Sequence, residues 1–194
     1  MSGTPEPGPG ERLPTPSHTV GPFYGYALPF PGGEDIAPPG HPDRITVHGH
    51  VLDGAGEPVP DALLEFWQAA PDGSLAGATG SMRRDPVDGG FLGRNGTDFT
   101  GFGRVPTDAD GHYALHTLPP GGAGLPYVSV CVFARGLLHH LFTRVYLADG
   151  PDPLLDALPA ARRATLLAAE ERYRTYRFDI RLQGAGETVF LEFP

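Results

Sequence analysis

The chain reads as an all-β protein: a β-sandwich of about seven or more strands with long loops, an extended N-terminal arm and one short helical segment before a C-terminal hairpin. Three observations predict it. Glycine (28 residues) and proline (23) make up about a quarter of the 194 residues, so turn formers divide the chain into short segments. An apolar content of 40% suits a folded core better than a disordered chain. Apolar residues alternate with period two in several separate runs, whereas helical signals are confined to one stretch. A chain of 194 residues is long enough for one domain with a sizeable core.

Taken in order, residues 1–16 are proline-rich, glycine-rich and polar and read as a mobile tail. Residues 17–43 read as an extended arm and loop. Its first part, SHTVGPFYGY (17–26), gathers aromatics that are costly to leave in water, so the arm lies against its own domain or a partner chain. Residues 44–194 then form the sandwich domain. The run 44–52 alternates as a strand with Ile45, Val47 and Val51 on one face. A turn at Asp53-Gly54 and a second strand over 62–69 follow. Residues 76–103 are glycine-rich without periodicity and read as a long excursion. Asp110-Gly111 opens a strand over 112–118.

The central hairpin spans 126–147. Val128, Val130, Val132 and Ala134 share one face, and Tyr127, Ser129, Cys131 and Phe133 the other. With both faces mostly apolar, this strand belongs in a core. It ends at Arg135-Gly136, a guanidinium at the mouth of a buried hairpin, which is either a solvated turn charge or a receptor for an anion. The return strand covers 141–147. Residues 152–173 carry the helical signals: Asp152-Pro153 starts one short turn, Pro159 a longer one, and Glu170 and Arg174 have the i,i+4 spacing of a helical ion pair. Residues 176–183 and 188–193 close the chain as a hairpin.

Charge and composition exclude several functions. A net charge of −9 is the wrong sign for a nucleic-acid partner. No run has the length or polarity of a membrane span or a signal peptide, so a cytoplasmic chain with no membrane role is expected. All 14 basic residues are arginine, which removes Schiff-base chemistry and phosphate-loop lysines. The single cysteine, Cys131, reads as a small buried hydrophobe.

Candidate metal ligands are incomplete. His48 and His50 sit at i,i+2 on a strand, which is half of a metal site or simply the polar outer face opposite Ile45, Val47 and Val51. His139 and His140 are adjacent, so in a regular strand they point apart. The start of a calcium loop at Asp108 fails because its twelfth position is Pro119 rather than a glutamate. No serine elbow, cysteine motif or phosphate loop is present.

The run VLDGAGEPVPDALLEFWQAAPDG (51–73), with TVGPF (19–23), FGR (102–104), His116-Thr117, VFARG (132–136), LFTRVY (141–146) and YRFDIRLQGAGETVF (176–190), resembles the intradiol ring-cleavage dioxygenases. The likeness is strongest to the chain of their two-subunit members that does not carry the metal. It implies a non-heme ferric iron held by two tyrosines and a His-x-His pair on a partner beta subunit. It also implies 3,4-dihydroxybenzoate and O2 as substrates. The same resemblance places Tyr127 and Ser129 where the partner has its two histidines, and Phe91 near one tyrosine position. The chain then holds no metal, has no catalytic residue of its own and is inactive alone. By the resemblance, Arg135 and the arm at Thr19, Gly21 and Pro22 border the partner's iron pocket as substrate-binding residues. Two alternatives stand beside this: a purely structural β-sandwich subunit, and a self-sufficient metalloenzyme using His48 and His50.

Overall fold

The computed structural model describes residues 28–76, 82–94 and 99–193. Two sheets face each other across one core. The first is built on β1 (Ile45–Leu52), whose burial alternates strictly, with Ile45, Val47, Gly49 and Val51 inside. The second contains β2 (Leu63–Trp67). Between it and the next strand of that sheet lies a two-stranded hairpin, β3 (Met82–Arg84) and β4 (Phe91–Arg94). Then come β5 (Phe102–Pro106), β6 (His112–Thr117), β7 (Tyr127–Phe133) and β8 (Leu141–Tyr146). Two short helices follow, α1 (Pro153–Asp156) and α2 (Ala160–Ala164). The last strands are β9 (Ala169–Arg172), β10 (Thr175–Arg177) and β11 (Ile180–Arg181).

The four-stranded sheet has the order β5-β2-β7-β8 and is antiparallel throughout. In the other, β6 runs antiparallel along one edge of β1, while β10 and β11 run parallel along its other edge, with β9 outside β10. Val47 and Leu115 from this sheet meet Leu64, Phe66, Val105, Val128, Val130, Val132 and Val145 from the other in one buried cluster. Such a β-sandwich is what short amphipathic strands produce when each buries its apolar face against another sheet. Among the described residues no helix is long and apolar enough to cross a membrane.

Gly49 is where the first sheet is most tightly built. It lies opposite Tyr113 in the β1–β6 register, and the Phe178 carbonyl occupies the space where a side chain would stand: a Cβ on Gly49 would lie 1.9 Å from that oxygen. Tyr113, fully buried, donates its hydroxyl to the same carbonyl at 2.6 Å. Burial, with the negative charge of Asp179 adding to it, pushes this phenol well above the ordinary tyrosine range. Because the folded chain holds the proton more strongly than the unfolded one, this contribution is complete below about pH 10 and is lost as pH rises beyond it. Tyr113→Phe strands the Phe178 carbonyl without its partner and should cost about 1–3 kcal/mol in urea unfolding. A loss under about 0.5 kcal/mol would mean that the hydroxyl contributes no net bond.

The structure departs from the sequence expectations in four places. The excursion over 76–103 contains the β3–β4 hairpin and delivers the start of β5. Strand β5 carries no alternating apolar signal because its inward positions are Gly103 and Val105. A Cβ on Gly103 would come within 2.8 Å of Leu115. Glu170 and Arg174 are not a helical pair: Glu170 belongs to β9, and Arg174, at φ 62°, makes the turn into β10. The Glu170 carboxylate accepts the Arg174 backbone N–H at 3.2 Å. The closing hairpin is reduced to Thr188, which donates to the Arg181 carbonyl. The chain then crosses to the other sheet, where Leu191 donates to the Phe142 carbonyl.

Candidate functional site

The outer face of the four-stranded sheet is the first candidate. Strand register sets side chains in rows across it: Phe102, Trp67, Ser129 and Arg144 form one row, and Arg104, Glu65, Cys131 and Phe142 the next. At one end the helical segment covers the face. Tyr146 is buried there against Leu155 and Leu166, and its hydroxyl donates to Asp152, which also caps α1 by accepting the N–H groups of Leu154 and Leu155. The rest is open. Trp67 remains 55% exposed and stacks on Phe102 with ring centroids 4.3 Å apart. Arg104 donates two N–H groups to one Glu65 oxygen and a third to the Leu28 carbonyl at 3.1 Å. The described chain therefore begins on this face.

Between Trp67, Gly101, Gly121, Tyr127 and Ser129 lies a hollow of about 540 Å³. Tyr127 and Ser129 are the positions that the resemblance aligns with the partner's two histidines, and both line it. A ferric centre needs several strong nitrogen or anionic oxygen donors. Here the strand offers one phenol and one hydroxyl, with the Arg144 guanidinium stacked 4.0 Å over the Tyr127 ring. Phe91, on β4, has no lone pair to give. Among the described residues no group of three His, Cys, Asp or Glu is placed to hold a metal. The described residues of this hollow do not fit the family's iron. Cys131 beside them is buried, and desolvation together with Glu65 pushes its thiol up to about 12, so it is an inert packing group.

Arg135 lies beyond the opposite end of β7, roughly 26 Å from Tyr127 at strand rise. Its guanidinium is ion-paired with Asp61 and its side chain is 67% exposed. It borders a separate hollow of about 430 Å³ with Val59, Asp61, Leu137 and Gln183. The structure thus does not bring Arg135 together with Tyr127 and Ser129: any substrate it touches sits outside this chain's own hollow. Thr19, Gly21 and Pro22 lie outside the described residues.

The histidines of β1 lie as the sequence predicts, and the fold adds a third beside them. His48 and His50 do stand on the outer face of the first sheet, opposite the core positions of β1. The register adds His112, directly across from His50. Sequence spacing could not supply this residue, because β1 and β6 are far apart in the chain. Near them, burial alone would raise the Asp179 carboxyl, but hydrogen bonds from Arg177 and the His50 backbone N–H, with the Arg177 charge, hold it below the usual carboxylate range. His139 and His140 lie in the β7–β8 connection rather than in a strand, with His140 against Phe142.

A family model described as dioxygenase matches residues 31–138. The protocatechuate 3,4-dioxygenase alpha chain of Burkholderia cepacia is 40% identical over 92% of this chain and 96% of its own length. The protocatechuate 3,4-dioxygenase beta chain of the same organism is 31% identical over 82% of this chain and 78% of its own. Among solved structures, the dioxygenase domain of a dioxygenase and carbohydrate-binding protein fusion from Streptomyces sp. SirexAA-E superposes with a TM-score of 0.56 at 27% identity, covering 89% of this chain and 100% of that one. With the two-sheet fold and the motifs on its strands, these matches place the chain in the intradiol ring-cleavage dioxygenase family.

Proposed function

We propose that this chain is the alpha subunit of a heteromeric, cytoplasmic protocatechuate 3,4-dioxygenase and that it contributes binding residues rather than metal ligands. The observation that carries this is the pair Tyr127 and Ser129, a degenerate donor set in a chain otherwise similar along its length to an alpha chain. The complex cleaves the ring of 3,4-dihydroxybenzoate between its hydroxyls with O2, giving 3-carboxy-cis,cis-muconate. The ferric iron belongs to the beta subunit of protocatechuate 3,4-dioxygenase, where it would supply the activation of the catechol ring towards O2. The open aromatic face around Trp67 and Phe102 supports a chain that works beside a partner. Arg135, with the arm at Thr19, Gly21 and Pro22, borders that partner's pocket, and the guanidinium complements the substrate's carboxylate.

The Arg135–Asp61 ion pair favours a second reading, in which Arg135 only fixes the turn and the chain is a scaffold. The main proposal is tested by purifying the chain alone and with a beta chain. Alone it should hold no stoichiometric iron and show no ring cleavage. The complex should carry both, together with a visible ferric-tyrosinate band. Stoichiometric iron and ring cleavage in the isolated chain would overturn the assignment.

A further inference from the structure

The geometry points to a labile zinc-type metal site on the outer face of the first sheet, formed by His48 and His112 with His50 beside them. The antiparallel register of β1 and β6 sets His50 against His112 and His48 against Ala114, so all three imidazoles share one face. His48 Nδ1 and His112 Nε2 stand 3.3 Å apart. Two Zn–N bonds of about 2.0–2.1 Å at a tetrahedral angle require nitrogens roughly 3.3–3.4 Å apart, so an ion fits this pair with little movement of either strand.

The neighbours prepare the nitrogens for it. Glu171 Oε2 lies 3.1 Å from His48 Nε2. A carboxylate only accepts, so the ring hydrogen sits on His48 Nε2 and the Nδ1 lone pair accepts from His112 Nε2; an ion takes the place of that hydrogen, which His112 then carries on Nδ1 or loses to solvent. Asp179 accepts the His50 backbone N–H and lies 3.6 Å from His50 Nδ1. The carboxylate behind the His48 imidazole is the arrangement that orients histidine ligands on metals. Arg177 pairs with both Glu171 and Asp179, so these three charges leave one net negative charge beside the rings. Among the described residues no third donor already converges on the same point. The His50 ring lies 5.2 Å from His112, and His50 or water completes the coordination. That incompleteness makes the site exchangeable rather than structural, and imidazole nitrogen selects zinc, copper or nickel over magnesium or calcium.

The test is calorimetric titration of the full, tag-free chain with zinc chloride at about pH 7.5, since metal binding competes with protons for the ligand nitrogens. One saturable site in the micromolar range is expected. His112→Ala and His48→Gln should each weaken it at least about tenfold, and Glu171→Gln by about 10- to 100-fold. Thermal melts identify which variants remain folded, and His48→Gln keeps a hydrogen-bonding side chain should His112→Ala fail. Replacing His139 and His140 should leave binding unchanged. Absence of saturable binding up to about 0.1 mM zinc, or binding unaltered in a folded His48→Gln/His112→Ala double variant, overturns the site. Zinc uptake is read without ring cleavage, so this result is separable from the iron experiment.

Discussion

Gly49→Ala should destabilise the chain by about 3 kcal/mol or more, enough to unfold a domain of ordinary stability at growth temperature. The added methyl would meet the Phe178 carbonyl oxygen at 1.9 Å. That oxygen cannot retreat cheaply. It accepts the Tyr113 hydroxyl at 2.6 Å, and the N–H of the same residue donates to the His48 carbonyl at 2.7 Å. Relief would require moving the step between β10 and β11 away from β1, breaking both bonds. Urea unfolding followed by fluorescence of the single tryptophan measures the effect. A shift below about 1 kcal/mol would show that the crossing is looser than the contact implies.

Arg135→Ala in the assembled, iron-loaded complex should lower kcat/KM for 3,4-dihydroxybenzoate by about 10- to 150-fold, the loss of one charge-assisted hydrogen bond of about 1.5–3 kcal/mol. Plain catechol lacks the carboxylate and should lose much less. Arg135→Lys should recover part of the activity only, because the two-pronged contact is gone. In the chain by itself the guanidinium already pairs with Asp61. Its five N–H groups can serve both carboxylates, so Asp61→Asn should leave substrate preference intact. Equal losses on both substrates, with iron content and subunit ratio unchanged, would retire the carboxylate role and favour the scaffold reading.

Legibility in the sequence followed how local each signal was. Strands β1, β2, β6, β7 and β8 announce themselves because an apolar side chain occupies nearly every inward position, as with Val128, Val130 and Val132. Strand β5 hides because Gly103 takes an inward position where Leu115 and Ile36 leave no room for a side chain. The Glu170–Arg174 spacing fits a helix and a tight turn equally well, and the positive φ of Arg174 that decides between them has no sequence mark. Any bearing of Tyr127 and Ser129 on a metal site was legible only through the family resemblance, since a tyrosine and a serine on a strand suggest nothing by themselves. His112 joins His48 and His50 through register, and the separation of Arg135 from Tyr127 follows from strand length.

The parallel pairing of β1 with β10 and β11 also governs when the protein can fold during its synthesis. His50 is tied to Asp179, 129 residues later, and His48 to Glu171, 123 residues later. One edge of β1 therefore stays open until residues 175–181 have left the ribosome. Contacts this distant slow folding, because loop closure must precede any gain from pairing. Meanwhile the valine-rich β7 and the edge of β1 are exposed in the nascent chain, a state prone to misassociation. Termination before residue 175 would leave β1 without β10 and β11, so truncated products should go to degradation rather than persist as smaller folded units. A partner chain would then meet only finished subunits.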